Sequence, residues 1–301
     1  MEMLTISHVN KSFGENRIIR DMSFSVKEQT IYGFIGPNGA GKTTTMKMIL
    51  GLLSIDSGSI LVNGEPVTYG QTKTNRHIGY LPDVPEFYSY LTPLEYLMLC
   101  GEAAGMRKGE IKGKSLELLE LVGLEEKAGK RIHGFSRGMK QRLGIAQALL
   151  HSPKLLICDE PTSALDPAGR KEILDILQTV KKHTTVLFST HILSDVERIC
   201  DEVGLLYQGS LAFTGTLEEI RRMRRSDGFE IEFYTPEDAA VCAAVLPEGE
   251  AIEKNILYFS GQDKKEMTEA FRILAGKNIC PLRIEWREPT LENLFLEVTH
   301  S

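Results

Sequence analysis

The sequence predicts two α/β domains, a larger one followed by a smaller one, and three observations support this prediction. The chain has 301 residues, about twice the length of an average domain. Short apolar stretches alternate with amphipathic segments through the first 220 residues, which is typical of helices packed on a sheet. After a basic run at 221–225 the alternation of apolar and polar residues starts again. We therefore expect domains at 1–225 and 226–301.

The first domain shows the pattern of a mostly parallel sheet. Segment 22–26 alternates apolar and polar residues, as in a strand with one buried face. The run 31–35 is apolar and stops at a glycine-rich turn, after which 43–50 is predicted to be helical. The runs 155–158 and 185–188 are nearly continuously apolar, as central parallel strands should be.

Between about 92 and 150 the pattern changes to helical spacing only. Leu94, Leu97 and Met98 begin this spacing, and Leu116 and Leu119 continue it. The simplest interpretation is a helical subdomain inserted into the α/β domain.

The second domain is predicted to be a small α/β unit of about 75 residues, in which we find no catalytic motif. The basic run 221–225 before it is interpreted as a solvated helix end, with a phosphate or acidic-lipid patch as the alternative. Strands are predicted at 229–233, 255–260 and 279–286, and a final amphipathic helix contains Leu291.

Composition limits the classes of function. The five cysteines are scattered and form no C-x-x-C pair, which argues against a disulfide framework and a zinc site and indicates a reducing compartment. No apolar run approaches the ~18 residues of a membrane-spanning helix, and the first residues lack the features of a signal peptide. The net charge of −6 is a poor match to a protein that binds duplex nucleic acid through bulk charge. We expect a soluble, cytosolic protein.

A glycine-rich segment at 36–43 matches the P-loop pattern G-x-x-x-x-G-K-[ST]. Its glycines let backbone N–H groups turn inward around phosphates, and the following helix adds the positive end of its dipole. Lys42 is expected to reach the β- and γ-phosphates, and the Thr43 hydroxyl to bind Mg²⁺. The predicted nucleotide-binding residues here are Gly36, Pro37, Asn38, Gly39, Ala40, Gly41, Lys42, Thr43 and Thr44.

Two carboxylates follow the apolar run 155–158. Ligands of parallel sheets lie at the carboxyl ends of strands, so Asp159 is expected beside the P-loop, where it would help to hold Mg²⁺. Glu160 would then polarise the water that attacks the γ-phosphate. His191 follows the next apolar strand and could contact the γ-phosphate there. The predicted catalytic residues are Glu160, His191 and Lys42.

Residues 135–142, Phe-Ser-Arg-Gly-Met-Lys-Gln-Arg, resemble the signature motif of the ATP-binding cassette (ABC) family, which also lies just before the acid-tipped strand. Phe13 lies where that family has an aromatic that stacks on adenine, and 163–166 resemble its D-loop, which adds Asp166 to the nucleotide-binding residues. His191 matches the switch histidine. The resemblance covers the first 220 residues and implies a P-loop NTPase fold of the ABC type.

In the ABC family two cassettes stack head to tail, and the P-loop of one and the signature of the other enclose each ATP. The resemblance therefore implies that Ser136 and Gly138 act on a nucleotide held by a partner chain, with the start of the following helix aimed at the γ-phosphate.

Two motifs depart from the usual family pattern. The signature has Arg137-Gly138-Met139 where Gly-Gly-Gln is usual, and the Q-loop position carries Asp83 instead of glutamine. Both changes resemble the branch that pairs with ABC-2-type membrane subunits, and Asp83 is expected to contact nucleotide and metal. Segment 288–296 resembles the closing motif of that exporter-type branch, although a plain amphipathic helix fits it equally well.

The leading interpretation is an ATPase subunit that binds ATP and Mg²⁺, dimerises with a second ABC ATPase chain and drives a separate integral-membrane permease of the ABC-2 type, in export. The resemblance places such a subunit on the cytoplasmic face of the cell membrane, with no nucleic acid as partner.

The first alternative is a soluble ABC ATPase that acts on nucleic acid or ribosomes. The second is a nucleotide-gated regulatory module without turnover, against which the presence of Glu160 and His191 argues. The transported substrate and the choice between homodimer and heterodimer cannot be derived from the sequence.

Overall fold

The computed structural model describes residues 1–71, 73–219, 228–245, 249–259, 264–286 and 291. The chain divides into two compact units, 1–217 and 218–301. The predicted boundary at 225 lies outside the described residues, as does the basic run 221–225, so both stay predictions.

The first unit contains two sheets. The strands of its antiparallel sheet stand in the order β2-β1-β4-β5, and those of its six-stranded sheet in the order β10-β9-β3-β8-β7-β6. In the second sheet β9, β3, β8, β7 and β6 run parallel and β10 pairs antiparallel to β9. The strands of this unit are β1 (Glu2–Phe13), β2 (Asn16–Lys27), β3 (Ile31–Ile35), β4 (Ser57–Val62), β5 (Glu65–Pro66), β6 (Ile78–Leu81), β7 (Leu155–Asp159), β8 (Thr185–Thr190), β9 (Glu202–Tyr207) and β10 (Ser210–Thr216).

The predicted α/β class is confirmed. β3, β7 and β8 are buried along their whole length, as their continuous apolar runs predict. β2 buries alternate residues, as the pattern at 22–26 predicts. β1 is not among the predicted strands. Its buried residues, Met3, Leu4, Ile6, Val9 and Lys11, alternate irregularly because the register of its pairing with β2 shifts at several points.

The helices of the first unit lie between the strands along the chain and pack against the parallel sheet. They are α1 (Lys42–Ile49), α2 (Pro93–Ala103), α3 (Lys108–Leu121), α4 (Arg137–Leu149), α5 (Pro167–Val180) and α6 (Leu193–Ile199). Between 92 and 150 every described element is an α-helix or a short 3₁₀ turn. Thr92 caps α2 with a capping box that includes Glu95. None of the helices in the described ranges combines the length and the apolarity needed to span a bilayer.

The core of the first unit lies between its two sheets. The rings of Tyr32 and Phe34 stack on Phe24 at centroid distances of 5.2 and 5.5 Å. Met46 and Ile49 of α1 join the same apolar cluster. Because α1 begins with Lys42, this burial anchors the turn that precedes it.

Between residues 228 and 286 the described part of the second unit forms an antiparallel sheet with two helices, in the order β-α-β-β-α-β along the chain. Its elements are β11 (Phe229–Phe233), α7 (Pro236–Ala243), β12 (Gly249–Glu253), β13 (Ile256–Phe259), α8 (Lys264–Lys277) and β14 (Pro281–Trp286), and the strand order is β12-β13-β11-β14. β12 is not among the predicted strands. The closing motif at 288–296 and the last predicted helix lie outside the described residues apart from Leu291.

Candidate functional site

The turn at 36–43 connects β3 to α1 in the strand–turn–helix arrangement that a P-loop requires. Gly41 caps α1 with φ of +110°, a left-handed conformation that favours glycine. A Cβ atom on Gly36 would lie 2.5 Å from the backbone oxygen of Leu206, so no larger residue fits there. Ala40 is buried in the core. The left-handed conformation of Gly41 and the close packing around Gly36 and Ala40 therefore hold the turn in place.

Lys42 places a buried ammonium group in the middle of this turn. The side chain is 6 % exposed, and its Nζ donates hydrogen bonds to the oxygens of Gly36, at 2.6 Å, and Pro37, at 3.3 Å. Glu160 Oε1 lies 3.2 Å from the same nitrogen. Since a buried charge needs partners, these oxygens hold the cation at the point where phosphates would enter.

Asp159 receives hydrogen bonds from two hydroxyl groups. Thr43 Oγ1 donates to Asp159 Oδ2 at 2.8 Å, and Ser189 Oγ donates to Asp159 Oδ1 at 2.6 Å. The three residues come from the start of α1 and from the adjacent ends of β7 and β8. Parallel pairing of the two strands brings these side chains to one edge of the sheet, as the sequence predicts for Asp159 and Thr43.

Glu160 follows β7 with φ of +48°, a left-handed conformation that is uncommon for a residue with a side chain. Its backbone N–H donates to Ser189 Oγ at 3.0 Å. Its Oε2 lies 2.9 Å from His191 Nδ1, while the buried Oε1 forms the ion pair with Lys42 Nζ at 3.2 Å. The carboxylate thus lies between Lys42 and His191, and the strained backbone directs it into the pocket.

Phe13 lies at the end of β1 and is 49 % exposed. Its ring borders the same open pocket as the P-loop. The pocket encloses about 380 Å³ and is lined by Phe13, Ile18, Pro37, Asn38, Gly39, Gly41, Lys42, Thr43, Thr44, Asp83, Asp159 and Glu160. The structure therefore brings together Phe13, the P-loop, Asp83 and both acids after β7, with His191 joined through Glu160.

Asp83 follows β6, and two residues of α4 hold it. Arg137 Nη2 donates to Asp83 Oδ1 at 3.2 Å, and Gln141 Nε2 donates to the Asp83 backbone oxygen at 2.6 Å. Burial raises the pKa of the Asp83 carboxyl, Arg137 opposes this rise, and the charges of Asp159 and Glu160 add to it.

Ser136, Gly138 and Asp166 lie at a second pocket. Ser136 caps α4 by accepting a hydrogen bond from the Met139 N–H at 3.3 Å, and Asp166 caps α5 in the same way through Gly169 at 3.0 Å. The lining residues are Ser136, Arg137, Gly138, Met139, Arg142, Ala164, Leu165, Asp166, Ala168, Gly169 and Glu172. This pocket shares no lining residue with the P-loop pocket, so the structure does not bring these three predicted residues to the nucleotide side of their own chain.

Sequence reasoning missed three residues that organise the site: Ser189, Arg137 in its contact with Asp83, and Gln141. Ser189 directly follows the apolar run 185–188, so its position at the end of a predicted strand is a signal that it belongs to the site. Gln141 is fully buried, and only the tertiary structure shows that it binds the backbone at Asp83.

Comparisons with known proteins agree with this geometry. The family model described as ABC transporter matches residues 19–163. An uncharacterized ABC transporter ATP-binding protein of Bacillus subtilis, YxlF, is 41 % identical over 99 % of this chain and all of its own length. The linearmycin resistance ATP-binding protein LnrL of the same organism is 34 % identical over 99 % of this chain and 98 % of its own length.

A solved ATP-binding subunit of an ABC transporter is similar in structure. It superposes with a TM-score of 0.66 at 35 % identity and covers 73 % of this chain and 92 % of its own. Relatives therefore match nearly the whole chain, and the solved structure matches most of it.

Proposed function

This chain belongs to the ABC transporter family of ATP-binding proteins, and we propose that it hydrolyses ATP to drive a separate membrane permease of the ABC-2 type in export. One observation carries the proposal. Lys42, Thr43, Asp159 and Glu160 line one open pocket, while Ser136 and its neighbours line another pocket of the same unit. Each pocket holds half of the machinery that the family uses, so a second chain completes both.

ATP binds with its phosphates against the P-loop. The N–H groups of the turn and the start of α1 face the anion, and the Lys42 ammonium exchanges its carbonyl partners for phosphate oxygens. The exposed ring of Phe13 stacks against the adenine base.

The residues at the head of the pocket suit a magnesium ion. Thr43 and Asp159 present hydroxyl and carboxylate oxygens 2.8 Å apart, and oxygen ligands are those that Mg²⁺ prefers. These two residues would hold the ion, with Asp83 at the edge of the pocket, and the bound ion would neutralise charge on the phosphates.

Glu160 acts as the general base. Its carboxylate accepts a proton from the water whose oxygen attacks the γ-phosphorus, the bond between that phosphorus and the β–γ bridging oxygen breaks, and ADP and phosphate leave. His191 contacts the same carboxylate at 2.9 Å and orients it toward the γ-phosphate. The position of the carboxylate supports this role, because Glu160 lines the P-loop pocket between Lys42, 3.2 Å from its Oε1, and His191, 2.9 Å from its Oε2.

The working form is a head-to-tail dimer in which Ser136, Gly138 and Asp166 close over the nucleotide of the partner chain. The start of α4, capped by Ser136, offers its N–H groups and its dipole to the γ-phosphate.

Export is the proposed direction because LnrL, which matches this chain from end to end, is named for resistance. We propose that the subunit lies on the cytoplasmic face of the membrane, bound to the permease, and that 226–301 is an accessory domain.

The test uses Glu160→Gln, which keeps the size of the side chain and removes its basicity. We expect the variant to bind ATP, to form a dimer that light scattering detects, and to turn over about 10²–10⁴-fold more slowly. Glu117→Gln, which changes an exposed acid of α3 that lines neither of the two pockets, is the matched control. Wild-type turnover in Glu160→Gln would remove Glu160 from the base role.

The permease assignment is tested by copurification of the chain with a co-expressed six-helix membrane protein. Stimulation of ATPase activity by that protein in lipid vesicles supports the proposal. Salt-sensitive binding to RNA, without such stimulation, would instead support the nucleic-acid alternative.

A further inference from the structure

Lys11 lies against the ring of Phe13. Both residues belong to β1, and because they are two positions apart their side chains lie on the same face of the strand. The Lys11 Nζ is 5.4 Å from the centre of the Phe13 ring and lies over its face. This distance is within the range of a cation–π interaction.

The Lys11 ammonium is buried, with 8 % of its side chain exposed, so it needs partners. Asp56 Oδ1 accepts a hydrogen bond from Nζ at 2.9 Å, and Ser54 Oγ accepts a second at 3.3 Å. The hydrogen bond from Lys11, followed by that from the Ser12 N–H, lowers the pKa of the Asp56 carboxyl. The Asp56 carboxylate is therefore ionised at neutral pH.

The same carboxylate also holds the backbone beside Phe13. Asp56 Oδ2 accepts a hydrogen bond from the Ser12 N–H at 2.7 Å, and the Asp56 N–H donates to the Asn10 oxygen at 2.9 Å. Asp56 lies in the loop that follows α1. One acidic side chain thus ties the loop after the P-loop helix to the strand end that carries the exposed ring.

We propose that Lys11 is a positioning residue for base recognition: its ammonium covers one face of the Phe13 ring and leaves the other face to stack on the purine base of the nucleotide. This inference rests on the proposed function, in which Phe13 stacks on adenine. The cation draws ring electron density toward itself, which makes the opposite face a better partner for an electron-rich purine.

A comparison of ATP with inorganic tripolyphosphate, which has no base, tests the proposal by calorimetry on the full chain. Lys11→Met should weaken ATP binding about 2- to 30-fold, the range of cation–π interactions, and leave tripolyphosphate binding unchanged. Lys11→Arg keeps a cation over the ring and should retain ATP binding. In a Phe13→Ala background, Lys11→Met should cause no further loss of ATP affinity.

Two other variants separate positioning from folding. Lys27→Met removes an ion-paired lysine at the opposite end of the β1–β2 pair and should change neither affinity. Asp56→Asn keeps an oxygen for the Ser12 N–H but weakens the hold on the ammonium, so it should cause a smaller loss of ATP affinity with the same selectivity.

Three results would overturn the inference. They are unchanged ATP affinity in Lys11→Met, an equal loss of ATP and tripolyphosphate affinity, and a loss that persists in the Phe13→Ala background. If Phe13→Ala itself left ATP affinity intact, the adenine contact of the proposed function would fail instead, which is a different observation.

Discussion

The Arg137 guanidinium lies 3.2 Å from the Asp83 carboxylate, so two of the three positions at which this chain departs from the common ABC motifs contact each other. The common motifs have glycine and glutamine there, a pair that carries no charge. Asp83 is partly buried near two other acids, Asp159 and Glu160, and this environment disfavours its ionised form. Arg137 offsets part of this cost at Asp83, the position that the sequence predicts to be the Q-loop.

Arg137→Gln should raise the pKa of Asp83. Burial already raises it and Arg137 opposes the rise, so removing the cation leaves the raising causes unopposed. A carboxyl whose pKa is higher in the folded state binds more protons there than in the unfolded state, so stability falls as the pH rises through the interval between the two values. The variant should therefore be more stable in acid, relative to neutral pH, than the parent.

The measurements are an NMR titration of the Asp83 carboxyl and denaturant unfolding at several pH values. Lys140→Gln removes the same charge about one turn later on α4 and is the control. An unchanged Asp83 titration in Arg137→Gln would show that the ion pair has no electrostatic role.

Ser189→Ala should impair catalysis through residues that it positions. The hydroxyl of Ser189 donates to Asp159 and accepts from the Glu160 N–H, so its loss frees one carboxylate oxygen and leaves a strained backbone without its partner. Removal of such supporting contacts typically costs about 10- to 100-fold in activity or metal affinity. Turnover measured against Mg²⁺ concentration should show both a lower maximum and a higher requirement for the ion.

Thr185→Val is the matched control for Ser189→Ala. Thr185 lies at the other end of β8, is equally buried and accepts a hydrogen bond from the Gln29 N–H at 2.9 Å. Each variant should lose at most about 1–3 kcal/mol of unfolding free energy because a partly buried backbone N–H loses its acceptor. Only Ser189→Ala should lose activity, and equal activity in the two variants would contradict the positioning role.

Gly138→Ala should leave the monomer intact and disable the dimer. An added Cβ would have Leu165 Cδ2, at 3.9 Å, as its nearest neighbour, so the chain itself has room for it. Alanine within a helix also favours folding by about 0.5–1 kcal/mol over glycine. If the nucleotide bound to the partner chain contacts this position in the dimer, the added methyl group clashes with it. ATP-driven association and turnover should then fall, while the melting temperature of the monomer stays the same or rises.

Gly134→Ala tests the specificity of that result. A Cβ on Gly134 meets nothing within 4 Å in the described residues, and this residue lies just before the signature. It should retain both association and turnover. Full activity in Gly138→Ala would mean that no ligand approaches this face of the helix.

Mixed dimers test whether the two pockets belong to one site. Lys42→Ala should weaken nucleotide binding, and Ser136→Arg should block association by filling the space at the start of α4. Each variant alone should be inactive. A mixture forms one composite site with both lesions and one with neither, so it should recover some ATPase activity, provided that one intact site can turn over. Full activity and ATP-dependent dimerisation of Ser136→Arg alone would refute the role of the signature in the partner's site.

The sequence by itself determined the α/β class and the local chemistry of the site. The turn at 36–43 is one contiguous segment, and the acids at 159 and 160 are adjacent to each other. Each of the two groups follows an apolar run that predicts a buried parallel strand. Local pattern is enough for such features, because spacing along the chain places each group at the end of a strand or the start of a helix.

Only the tertiary structure decided which groups meet. Ser189 reaches Asp159 across thirty positions, Arg137 reaches Asp83 across fifty-four and Lys11 reaches Asp56 across forty-five. These contacts depend on the register of neighbouring strands and on how α4 packs beside β6, and a one-residue change of register would turn the side chains to the other face of the sheet. A polar residue at a given position does not specify its partner, since its hydrogen-bonding capacity is the same wherever the fold carries it.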